Sequence, residues 1–140
     1  MRILMARPQS IAEVASRAID HAQGFDAACR ELLDEWQSMD DRKKLAALAE
    51  EPASVGGVED AYLAALAEHL ALFARLAAPA WTEAPHRFLT EPFFSGGLES
   101  LKAILLAESP LAFRRRLIFI SADGLSRPRR KFVEEATPGA

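Results

Sequence analysis

The chain has 140 residues, half of them hydrophobic, with a single cysteine and a formal charge of −3. That length allows one domain with a real core. Lone Cys29 excludes an internal disulfide and fits a reducing compartment, and no apolar run approaches the roughly 20 residues of a membrane helix. With no signal-peptide core near the start, the expected setting is cytoplasmic. The charge is unevenly spread: seven Arg/Lys against Asp123 between Leu111 and Lys131 give a local +6, leaving −9 elsewhere. An acidic body argues against non-specific nucleic-acid binding over the whole surface, but leaves room for a local basic site.

Ser10 stands three residues before Glu13, a capping-box spacing. Ile11, Val14, Ala15, Ala18 and Ile19 then fall on one stripe, which predicts a first helix stopping near Gly24. A second helix is predicted over 25–37, with Ala28, Cys29, Leu32, Leu33 and Trp36 at helical spacing. Cys29 lies in that stripe and reads as a small buried hydrophobe. A third helix over 40–50 has Leu45 and Leu48 as anchors, before EEPASVGG breaks the pattern. A fourth spans 58–78, with Tyr62, Leu66, Leu70 and Phe73 on one face and Leu63, Ala67 and Leu76 widening it. Its nearly all-round apolar character predicts a central position.

Pro79, Pro85 and Pro92 divide the next stretch, where Trp81, Phe88, Phe93 and Phe94 are expected to cover gaps between helices. A helix over 98–108 carries Leu98, Leu101 and Leu105, with Ile104 beside them. Pro110 fits a first helical position with Ser109 as its cap, which predicts a short helix through Leu111, Phe113, Arg114 and Leu117. Residues 118–121 either extend it or form an extended turn. The predicted fold is all-α, a compact orthogonal array of about five to seven helices with an aromatic-rich connecting segment. It forms one domain over 1–126, followed by a basic then acidic flexible tail over 127–140.

Chemistry-bearing patterns are sparse. His21, His69 and His86 lack the HExxH spacing and offer no zinc set. His86 would act as an acid or base only beside a nucleophile or carboxylate, which defines a small-enzyme alternative. Gly96–Gly97 lacks the lysine of a phosphate loop, and no cofactor is expected. The second helix carries Asp26, Glu31, Asp34 and Glu35, which would repel phosphate from a recognition helix. Arg114, Arg115 and Arg116 fan through about 200 degrees on a helix and cannot all meet one phosphate surface. Three readings of this run stand open: a salt-bridged structural edge, a protein-partner surface, or a nucleic-acid contact. An alanine-rich domain has limited side-chain volume for its own core, which also leaves a homo-oligomer open.

AYLAALAEHLAL at 61–72, PAWT at 79–82 and RFLTEPFFSGGLESLKAILLAESPLAFRRRLIFISADGLSR at 87–127 occur in that order. Together they resemble small uncharacterised bacterial helical proteins, antitoxin-like partners of nucleotidyltransferase-type toxins. The resemblance covers about 60–127. It implies a non-enzymatic neutraliser whose protein partner, a toxin encoded nearby, is the catalytic member. It supplies no active-site motif to carry over. The partner-binding candidates are the aromatic and arginine positions Trp81, Phe88, Phe93, Phe94, Arg114, Arg115 and Arg116. Some such proteins carry an added DNA-binding segment; none is evident in this chain.

Overall fold

The fold starts from a cap. In the computed structural model, which describes residues 7–20, 24–95, 101–121 and Leu125, Ser10 Oγ accepts from the Glu13 N–H at 3.1 Å. The Glu13 carboxylate accepts from the Gln9 N–H at 2.7 Å, one residue earlier than in the usual reciprocal box. This opens α1 (Ile11–Asp20), which buries Ile11, Val14 and Ala15. Ile19, predicted on the same stripe, is 49% exposed.

α2 (Phe25–Trp36) packs on α1 and buries Ala28, Cys29, Leu32, Leu33 and Trp36. Asp40 caps α3 (Asp41–Ala49) by accepting from the Lys43 N–H at 2.9 Å. α3 buries Ala47 and Leu48, whereas Leu45 is exposed. With the inward direction lying between Ala47 and Leu48, a turn of about 100° per residue places Leu45 about 110° away from the core.

α4 (Gly57–Ala74) is the central element and contacts α3, α6 and two following 3-10 turns, Ala80–Glu83 and Pro85–Arg87. It buries Ala61, Leu63–Ala67, Leu70 and Ala71. Its loop is locked by buried Asp60, which accepts from Ser54 Oγ at 2.6 Å and from the Val55 and Gly56 N–H groups at 2.7 and 3.3 Å. The helix ends four residues earlier than its apolar pattern predicts. Arg75 adopts the left-handed conformation, φ 62 and ψ 39. Its N–H reaches Leu72 O at 3.1 Å, and the Leu76 N–H reaches Ala71 O at 2.8 Å. This is a Schellman stop with arginine where glycine is usual. Phe73, expected on the inward face, is 74% exposed.

After the 3-10 turns, β1 (Phe93–Phe94) pairs in parallel with β2 (Ile118–Phe119), Phe93 opposite Ile118. Between them lie α5 (Lys102–Glu108) and α6 (Leu111–Arg114). Pro110 is the extended residue before α6, φ −61 and ψ 151, rather than its first helical residue. Ser109 does not cap α6. Its buried hydroxyl accepts from the Ile120 N–H at 2.9 Å and contacts Leu105 O and Ile120 O, which ties the end of α5 to the residue after β2. Leu117, at φ 65, turns the chain from α6 into β2, so residues 118–119 form a strand rather than extend the helix.

The chain is thus mostly helical, with six α-helices and a two-stranded sheet among the described residues. One hydrophobic cluster joins α1 to α4 with Phe113, Ile118 and Ile120. No described helix is long and apolar enough to cross a membrane. Leu98, His21, Gly96–Gly97 and the tail over 127–140 lie outside the described residues.

Candidate functional site

Phe113 fixes α6. Its ring is fully buried and meets Tyr62 edge-on, with centroids 5.0 Å apart. With Phe113 inside, the backbone turn sends the following arginines in different directions. Arg114 is exposed and makes no side-chain hydrogen bond or ion pair among the described residues. The Arg115 Nη1 donates to both oxygens of Glu68 at 2.7 and 2.8 Å, and its Nη2 donates to Glu83 at 3.0 Å. Arg116 has no exposed side-chain surface. Its Nη1 donates to Glu68 at 2.6 Å and to Ala112 O at 2.8 Å, while Nη2 donates to Thr82 O at 2.8 Å.

Phe88 lies against both guanidiniums, 5.5 Å from that of Arg115 and 4.5 Å from that of Arg116. The Arg116 Nε, buried without a hydrogen-bond partner, belongs to the guanidinium over this ring. The cluster pairs two cations with two carboxylates, so little net charge faces outward. Arg115's hydrogen bond holds Glu83 below the usual carboxylate range against a small burial cost, and the fields of Arg115 and Arg116 add to that shift. Glu83 in turn raises Arg115.

A second buried arginine escaped sequence reasoning. Arg87 is 1% exposed and donates to Asp60 O at 3.0 Å, Pro52 O at 2.9 Å and Glu51 at 3.3 Å. It lies over Trp81 at 4.9 Å, and the Trp81 indole N–H donates to Leu48 O at 2.9 Å. Its only signal was a cation between Pro85 and Phe88. Trp81, Phe88, Arg115 and Arg116 therefore gather around the two 3-10 turns. Phe93 and Phe94 stand elsewhere: Phe94 stacks on Phe119 at 5.0 Å and carries Lys102 on its ring.

Phe93 instead borders a cleft of ≈430 Å³ between the N-terminal ends of α2 and α4 and the β1–β2 pair. Phe25, Tyr62, Asp26 and Glu59 also line it. Phe25 and Tyr62 meet edge-on at 5.6 Å. Burial pushes the Tyr62 hydroxyl above its ordinary pKa, and the neighbouring Cys29 and Asp26 push it further. Burial, followed by the field of Asp26, pushes the Cys29 thiol up to about 12. That is the opposite of an activated thiolate.

His86 is exposed on the second 3-10 turn and lines neither this cleft nor a smaller one of ≈260 Å³ beside Leu89–Phe93. His69 packs between Phe73 and Phe113, and burial lowers its pKa. Among the described residues, no group of three or more His, Cys, Asp or Glu is placed to hold a metal. Large apolar side chains remain exposed along α5 and at the start of α6: Leu101, Ile104, Leu106 and Leu111.

In comparisons with known proteins, no family model, no curated protein and no solved structure matches the chain.

Proposed function

We propose that the protein is a non-enzymatic helical interaction module that neutralises a partner toxin by binding it directly. Binding would occlude the toxin's nucleotide or RNA site or hold it inactive. One contrast carries this reading. Arg115 and Arg116 are engaged by Glu68 and Glu83, while Ile104, Leu106 and Leu111 stand about half exposed, uncovered by any described element. Exposed apolar side chains of that size favour a protein partner over phosphate. The resemblance of 60–127 to antitoxin-like proteins points the same way. A nucleic-acid-binding regulator is the second reading, and it is left with Arg114 as the exposed arginine of the run that no described carboxylate engages.

Co-expression with the product of the neighbouring gene tests the proposal. A stable complex is expected on size exclusion, and the Ile104→Gln/Leu111→Gln double variant should disrupt it. Both side chains are already half in water, so that variant should lose no more than about 1 kcal/mol of folding stability. A folded wild-type sample with no affinity for the neighbour's product would overturn the reading.

A further inference from the structure

We propose that the cleft between the N-terminal ends of α2 and α4 binds an ammonium group carried on an aliphatic stem, either a free diamine or a lysine side chain of a partner. The lysine source rests on the interaction-module reading; the free amine does not.

Three aromatic rings, Phe25, Tyr62 and Phe93, wall the cleft, and Val58 and Ile120 add aliphatic surface. Aromatic faces attract a cation while tolerating the methylenes behind it. Asp26 and Glu59 supply two negative charges at the same cleft. Some acidic side chains elsewhere meet cations, as Asp34 meets Arg7, Glu51 meets Arg87, and Glu68 and Glu83 meet Arg115. Asp26 and Glu59 make no ion pair among the described residues.

Both acids stand in the first turns of their helices, where they complement the helix dipole. The dipole explains their presence on α2 and α4. It does not explain why both border one cavity with three rings. Asp26 and Glu59 line the same cavity as the three rings. A volume of ≈430 Å³ falls within the roughly 300–1,000 Å³ of small-molecule pockets. Two carboxylates disfavour an anion, and a neutral apolar ligand would leave both charges unmatched.

Amide NMR titration of the full chain tests this. The probes are cadaverine and Nα-acetyl-lysine N-methylamide, with n-pentanol and Nα-acetyl-norleucine N-methylamide as neutral counterparts. Saturable shifts around Tyr62 and Phe93 are expected with the cations, and affinity about ten-fold weaker or less with the neutral probes. Asp26→Asn/Glu59→Gln should weaken cation binding about ten-fold without affecting the neutral probes. Cadaverine binding alone assigns the site to free amines; binding of the lysine amide as well assigns it to side chains too. Equal shifts by charged and neutral probes, shifts that map elsewhere, or unchanged affinity in the double variant would each overturn the proposal. If the double variant does not fold, the wild-type comparison of charged and neutral probes still decides. None of these probes requires the partner. Their failure leaves the interaction reading standing, and failed co-purification leaves the cleft standing.

Discussion

Asp60 shows how one carboxylate can hold a loop. Burial alone would raise its pKa. The hydrogen bonds from Ser54, Val55 and Gly56 and the field of Arg87 outweigh burial and lower it from 3.8. A depressed folded value means that ionised Asp60 stabilises the fold above its unfolded pKa, and that this contribution is lost as pH falls through the folded value. The wild-type protein should therefore lose stability on acidification below about pH 4. Asp60→Asn should be less stable at neutral pH, with a shallower acid limb in thermal melts taken across that range. An unchanged acid limb in Asp60→Asn would remove this role. Nothing in the local sequence identifies the residue. Ser54 and Arg87 are separated from Asp60 by 6 and 27 positions, and only the folded chain brings them together.

At the level of elements, the four long helices were legible because each carries its own punctuation. Ser10 and Glu13 open α1, Asp40 opens α3, and proline or glycine separates the later segments. Legibility failed where neighbours rather than pattern decide. Leu45 and Phe73 fit their stripes, yet no described element covers them. The β1–β2 pair joins Phe93 to Ile118, and a two-residue strand has no alternation to read. Ser109 has the sequence position of a cap, but its hydroxyl serves Ile120 instead. The end of α4 was missed because Arg75 occupies a position where glycine would have announced the stop. Its left-handed backbone is strained for a residue with a side chain. Arg75→Gly should therefore stabilise the protein by about 1 kcal/mol, raising Tm by about 2–4 °C. A fall in Tm by differential scanning calorimetry would show that Arg75's side chain contributes more than its backbone costs.

Across the whole molecule, the basic stretch that stood out in an acidic chain is divided by the fold. Arg116 is an internal strut, Arg115 a partly exposed clamp between α4 and the first 3-10 turn, and Arg114 a surface cation. The sequence could show that three successive arginines diverge. It could not show which ones find carboxylates, because Glu68 and Glu83 lie 48 and 33 residues before Arg116. On this division the proposed sites of recognition lie away from Arg115 and Arg116, at the exposed apolar side chains of α5 and α6 and the acidic aromatic cleft. Equilibrium urea unfolding of Arg114→Ala, Arg115→Ala and Arg116→Ala, measured side by side, tests it most directly. Arg116→Ala should cost about 3 kcal/mol, because it opens a void and unpairs buried carbonyls. Arg115→Ala should cost about 1 kcal/mol, and Arg114→Ala should stay within about 0.5 kcal/mol of wild type. Three equal and small losses would contradict the account and return the arginines to the surface as a single basic patch.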